Sequence, residues 1–373
     1  MVFTILLTMF PIVPSVYATD TLQGGGTKGD PYLISNVAQL EEFRNRVNNG
    51  ETNICGKLMN DIVLNEDLNS KLNEDGSVKD GVIVSQWTPI GNDSQNYIGI
   101  FDGNDYKVSG MYINQPSSEY QGLFGYIGNA STVKNLGVDG IVKGGNSTGG
   151  IVGYSIGVVG RCYNTGNVSG TGSSVGGVVG NNKKKVDTCY NTGNVSGTEN
   201  SSVGGIVGSD SNGVVTSCYN TGDVSGTQNS SVGGIVGYRN TGTTVECCYN
   251  TGNVSGTKSS SMIGGIVGYN DCGMVNICYN TGNVSGTGSY VGSIIGKNNG
   301  LVQNCYYLKG TARGGISGLD KGSQGSKTIS LSPGEMTGSN ALNYMSGFST
   351  SQWYIEGDNA VVGIKTETEQ QYN

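Results

Sequence analysis

The 373-residue sequence contains no histidine. That single absence removes several chemistries, because a zincin needs paired helical histidines and the usual serine or cysteine hydrolase needs an imidazole base. Charge is scarce as well: Asp, Glu, Lys and Arg make up 13% of the chain, about half of the ~25% usual in globular proteins. The formal net charge is -7, and the one basic run, Lys183 to Lys185, is preceded by asparagines. Phosphate recognition needs clustered Lys and Arg, so no nucleic acid partner is expected. Beyond residue 18 no stretch is apolar enough to cross a bilayer, and no transmembrane span is expected in the mature protein. Residues 1–18 are apolar and end in Val16-Tyr17-Ala18. They read as a signal peptide, without the basic residue expected ahead of its apolar core, and place the protein outside the cell or on its surface.

What the sequence does contain is repetition. CYNTGNVSG stands at 162–170, 189–197, 248–256 and 278–286, and once more at 218–226 with Asp for Asn. Aligned on its cysteine, the column runs Met111, Leu136, Cys162, Cys189, Cys218, Cys248, Cys278 and Cys305, at spacings of 25 to 30 residues. Ahead of each rung lies a second signal, GLFG at 122–125 and then GGIVG, GGVVG or GSIIG. Each period therefore holds short Val- and Ile-rich runs bounded by Gly, Asn and Ser, which are too short for helices and fit strands. Such a period describes one coil of a solenoid, and crossover chirality makes it right-handed. The expected fold is all-β, a right-handed parallel β-helix whose eight rungs build a core about 35–40 Å long at ~4.8 Å per rung.

Stacking in register turns each repeat position into a ladder. Asn164, Asn191, Asn220, Asn250 and Asn280 are expected to point inward and bond amide to amide along the axis. Tyr163, Tyr190, Tyr219, Tyr249, Tyr279 and Tyr306 form the neighbouring outward column, a candidate aromatic strip. The cysteine column is expected to be a buried apolar slot of free thiols, since Met and Leu occupy it earlier and in-register side chains point the same way, straining any bridge. Cys55, Cys247 and Cys272 lie outside that column and are left open to pairing.

Solenoid ends need lids. Val37, Leu40, Phe43 and Val47 recur at helical spacing within 36–49, behind a Ser35 or Asn36 cap and ahead of Gly50. A shorter helix is expected within 335–345 and a strand around Trp353. The organisation is then a leader at 1–18, an N-terminal cap region at 19–98, the β-helix at 99–310, a C-terminal cap at 311–364 and a polar tail at 365–373.

PYLIS at 31–35, the capping helix, WTPIG at 87–91, GIFDGNDYKVSGMYI at 99–113, GLFGYIG at 122–128 and the GGIVG series, in that order, resemble the bacterial GLUG-motif proteins over about residues 24–355. The resemblance implies a secreted or surface β-helix. GLUG repeats also occur in IgA-specific metallopeptidases, but the HExxH motif of their catalytic part is absent, so peptidase activity does not carry over.

Carboxylate chemistry is the remaining catalytic route, because β-helical lyases and glycosidases work with Asp and Glu from adjacent coils. The candidates are Asp102 and Asp105 in FDGNDY, with Asp61, Glu66 and Asp67 earlier; FDGN also reads simply as a turn. The reading preferred from sequence is an adhesin-like binding or spacer module without catalysis, cofactor or metal, whose partner is a glycan or a host or bacterial surface protein. A polysaccharide lyase or glycoside hydrolase, and a fragment of a larger surface protein, are the alternatives.

Overall fold

The computed structural model describes residues 21–199, 201–228, 230–240, 244–259, 261–312, 315–316, 327–337, 341–349, 353–355 and 362–364. The leader at 1–18 and the tail at 365–373 lie outside them. The described chain winds into a right-handed parallel β-helix of about ten turns. One turn runs through Val158–Asn164 and Asn167–Gly170 in a broad 23-stranded sheet, Ser174–Gly176 in a six-stranded sheet and Val179–Asn182 in a seven-stranded sheet. Each segment pairs in parallel with its equivalent one turn later, as Tyr163↔Tyr190, Val175↔Val203 and Val179↔Val207 show.

Parallel pairing begins well before residue 99. Tyr32–Ile34 pairs with Gly56–Leu58, which pairs with Ile100–Asp102. At the other end Thr328–Leu331 pairs with Cys305–Leu308. The first lid is α1 (Val37–Asn48), whose Asn36 Oδ1 accepts from the Gln39 N–H at 2.9 Å while the Ser35 N–H donates to Gln39 Oε1 at 2.7 Å. These bonds satisfy donors the first helical turn leaves open. Leu40, Phe43 and Val47 are buried beneath it, with Phe43 edge-on to Tyr97 and Phe101; Val37 is only partly buried. The second lid holds two short helices, α2 (Pro333–Met336) and α3 (Ala341–Tyr344), rather than one, and the strand Trp353–Ile355 pairs antiparallel with Val362–Ile364.

One register expectation is corrected. Leu136 does lie opposite Cys162, but Met111 lies opposite Gly140 and not in the cysteine column. Lys107 and Val108 already lie opposite Gly137 and Val138, so the position opposite Leu136 falls ahead of Lys107; a bulge between Val108 and Met111, with Gly110 at φ +65°, changes the pairing by one residue more, as an extra residue in one strand must.

A second local feature explains how Val186 and Cys189, three residues apart, both face inward. The residue before each column member, from Asn135 through Arg161, Thr188, Ser217, Cys247 and Ile277 to Asn304, has φ between 48° and 54°. Strict alternation from buried Val186 would turn Cys189 outward; the left-handed residue at 188 resets the phase. The second glycine of GGIVG has an equally local cause. A Cβ on Gly205 would stand 2.1 Å from the Gly234 carbonyl oxygen and 2.4 Å from Asn220 Cγ, so the asparagine column occupies the space a side chain would need.

Candidate functional site

Inside the rod, each asparagine amide is held at both ends. Asn164, Asn191, Asn220 and Asn250 each donate from Nδ2 to the Oδ1 of the next member at 2.8 Å, and each also donates to the glycine carbonyl two residues on, at 2.6–2.7 Å. The column begins where Val138 gives way to Asn164 and ends at Asn280, which faces Tyr307. Beside it the cysteines Cys162, Cys189, Cys218, Cys248, Cys278 and Cys305 are buried free thiols, each donating to the carbonyl two residues back at 3.1–3.3 Å. Burial pushes Cys162, Cys218, Cys248 and Cys278 well above the usual thiol range, so they stay protonated. Cys55, Cys247 and Cys272 are likewise thiols and not disulfides, the first two buried and the last exposed.

On the outer surface, the rings of Tyr163, Tyr190, Tyr219, Tyr249 and Tyr279 stack at centroid spacings of 4.9, 4.9, 4.9 and 5.0 Å, within 4° of parallel. The spacing is set by the strand separation. The strip starts where the Tyr163 ring lies over Gly137. Burial raises the phenols of Tyr163 and Tyr190, and for Tyr163 the nearby Asp61 and Asp105 carboxylates add to it. Two carboxylates singled out in the sequence therefore sit at the N-terminal end of the strip.

The other end is covered. Tyr279 and Tyr306 are fully buried, which corrects their assignment as surface contact residues. Phe348 and Trp353 from the second lid close over them: Trp353 lies 5.9 Å from Tyr279, and Phe348 meets Tyr306 edge-on at 5.6 Å. The Tyr306 hydroxyl hydrogen-bonds Ser346 Oγ at 2.8 Å. Trp353 also reaches Tyr249 at 6.3 Å, whereas Tyr163, Tyr190 and Tyr219 are half-buried. The sequence signalled the lid helix but not its aromatic seal, because Phe348 and Trp353 belong to no repeat.

The carboxylates do not converge. Asp102 is tied to Lys134 Nζ at 3.1 Å and accepts from Asn135 Nδ2 and the Asn104 N–H, both at 2.9 Å. Partial burial works against its charged form, and these donors more than compensate, so its carboxyl lies below the ordinary range. That is a turn anchor, the opposite of a general acid. Asp105 is exposed at φ +65°, and Asp61 accepts from the Lys107 N–H at 2.9 Å. Glu66 and Asp67 line a separate polar cleft of about 690 Å³ with Lys107, Asp139, Thr165 and Asn167. No three Asp, Glu, Cys or His side chains among the described residues are disposed to hold a metal.

Two features escaped the sequence reading. Tyr154, Tyr238 and Tyr269 each follow a GIVG run, which was the available signal, and form a second outward tyrosine column. In the next inward column Asp210 and Arg239 are both fully buried, with Arg239 Nε 3.8 Å from Asp210 Oδ2 and Arg239 Nη1 donating to the Met274 carbonyl at 2.7 Å. This ionic rung sits between Asn182, which donates to Asp210 Oδ1, and Asn270, which donates to Asn298.

No family model matches the chain. It is 33% identical over 162 residues to a "putative Gly-rich membrane protein" of Evansella cellulosilytica, covering 42% of this chain and 17% of that protein. It is 29% identical over 156 residues to a halomucin of Haloquadratum walsbyi, covering 41% of this chain and 2% of that one. The chain thus spans a small part of both curated relatives. A crystal structure of a "putative immunoglobulin A1 protease" from Bacteroides ovatus superposes with a TM-score of 0.58 at 20% identity, covering 92% of this chain and 94% of that one. At that identity the likeness concerns the fold.

Proposed function

We propose that this β-solenoid is a secreted or cell-surface repeat module of the GLUG kind that binds an extracellular surface without catalysis, using the strip Tyr163, Tyr190 and Tyr219. One observation carries the reading: three parallel, stacked rings stand half-buried on the broad sheet while their continuation, Tyr279 and Tyr306, is sealed by the chain's own lid. Flat rings with hydroxyls at the edge suit the apolar face of a sugar or a surface protein. The surface-related names of the two relatives support the extracellular address. The lack of histidine and the scattered carboxylates support a non-catalytic role.

The test is a glycan-array and epithelial-cell binding assay on the wild type and on the Tyr190→Ser/Tyr219→Ser variant. The reading expects binding by the first and its loss in the second with an unchanged circular dichroism spectrum. Equal binding by both would remove the strip, and reducing sugar released from any arrayed glycan would replace the module by an enzyme.

A further inference from the structure

The outward face of the seven-stranded sheet carries a column in register over seven turns: Tyr126, Tyr154, Asn181, Ser209, Tyr238, Tyr269 and Lys297. Its composition is uneven along the axis. At one end the rings of Tyr126 and Tyr154 lie 4.6 Å apart with Tyr120 5.7 Å from each, and Lys183 Nζ stands 5.3 Å from the Tyr154 ring centre. At the other end Tyr238 and Tyr269 lie 5.4 Å apart, with Lys297 Nζ 4.5 Å above Tyr269. Between these platforms Asn181 and Ser209 form a low floor, and Tyr154 and Tyr238 are three rungs apart, about 14 Å at ~4.8 Å per rung.

These rings are tilted by more than 50°, so they do not form the mutual stack of the broad sheet, and their faces are not all used on one another. The far platform is also equipped with polar groups. The Tyr269 hydroxyl donates to Asp271 Oδ1 at 2.6 Å, and Asn299 Nδ2 donates to both oxygens at 3.0 Å.

Charge selects the ligand. Lys183 and Lys297 make no salt bridge within 4.0 Å among the described residues, and their ammonium groups lie over tyrosine rings. The acidic neighbours keep their charge: Glu119 accepts from Asn146 at 2.8 Å, and Asp271 accepts from Tyr269 and Asn299 and also bears on Lys297. Asp93 stands near the first platform and bears on Tyr120 and Tyr126. Each platform therefore carries one ammonium beside its rings, Lys183 at Tyr154 and Lys297 at Tyr269, placed to meet an anionic substituent of a ring stacked there.

We propose that this face binds a linear polysaccharide bearing carboxylates, laid along the rod axis with a sugar ring on each tyrosine platform and carboxylates against Lys183 and Lys297. The site stands on a different sheet from the Tyr163 strip, so either can fail without the other. Affinity electrophoresis of the full chain through gels containing hyaluronan, alginate or dextran tests it. Retardation by a carboxylated polymer and not by neutral dextran is expected, weakening as salt rises. Lys183→Gln/Lys297→Gln should weaken it by about tenfold or more, since hydrogen bonds to charged groups contribute about 1.5–3 kcal/mol each. Tyr154→Ala/Tyr269→Ala should weaken it as well, while Tyr190→Ser/Tyr219→Ser should leave it unchanged. No retardation in either acidic gel, equal retardation in dextran, or equal behaviour of the lysine variant and the wild type would overturn the proposal.

Discussion

Replacing Asn220 by alanine should test how much of the rod's stability resides in its internal amide column. Asn220 Nδ2 donates to the Gly222 carbonyl at 2.7 Å and to Asn250 Oδ1 at 2.8 Å, and its Oδ1 accepts from Asn191 Nδ2 at 2.8 Å. The variant loses these three bonds and leaves the Gly222 carbonyl and Asn250 Oδ1 buried without that donor. At ~1–3 kcal/mol for each of these two stranded buried groups, the loss is about 2–6 kcal/mol. Asn220→Asp sharpens the test because it keeps the shape and changes only the donors. Its ionised form would face two acceptors, so its folded pKa must lie above the unfolded ~3.9. The sign follows: its penalty relative to wild type is smallest below the unfolded value and grows as pH rises towards the folded one. Urea unfolding of the three proteins between pH 3 and pH 7 measures both effects. An alanine loss under about 1 kcal/mol, or an aspartate penalty that does not change with pH, would refute the ladder as a principal source of stability.

The buried ionic rung gives a second prediction: Arg239→Asn alone should destabilise by about 3–5 kcal/mol by stranding Asp210, whereas Asp210→Asn/Arg239→Asn extends the amide column and should restore wild-type stability or exceed it. Urea midpoints of the three proteins decide it. Alkylation of the native protein by iodoacetamide should label Cys272 and spare the buried column, and non-reducing mass spectrometry should find no bridges between successive column cysteines. Asp102, held below the ordinary carboxyl range, contributes stability that is present above the unfolded pKa and is lost as pH falls through the folded one; Asp102→Asn should flatten that acid limb in a pH series of thermal melts.

Much of the fold was legible because a solenoid writes its contacts into the sequence as a period. Tyr163, Tyr190 and Tyr219 align in the text at the same offsets at which their rings stack in space. The reading weakened wherever the period did. Met111 was placed four positions out of register, because this first strand carries no CYNTG copy to fix its alignment and Lys107 already lies opposite Gly137. The left-handed residue before each cysteine was invisible, since Arg161, Thr188, Ser217 and Ile277 share no side-chain chemistry that marks that backbone. The strip itself could be read, but not its length, because Phe348 and Trp353 arrive from outside the repeats. Asp210 and Arg239 each occur once in the repeats, so no period pairs them in the sequence; only the register shows them as neighbouring rungs of one column.

Mapping which tyrosines a small nitrating reagent reaches in the native protein tests most directly whether one continuous ladder is divided into an open strip and a sealed end. Tyr163, Tyr190 and Tyr219 should be modified, while Tyr279 and Tyr306 become reactive only on unfolding. Equal native reactivity across the whole column would contradict the seal, and with it the account of where this rod meets its partner.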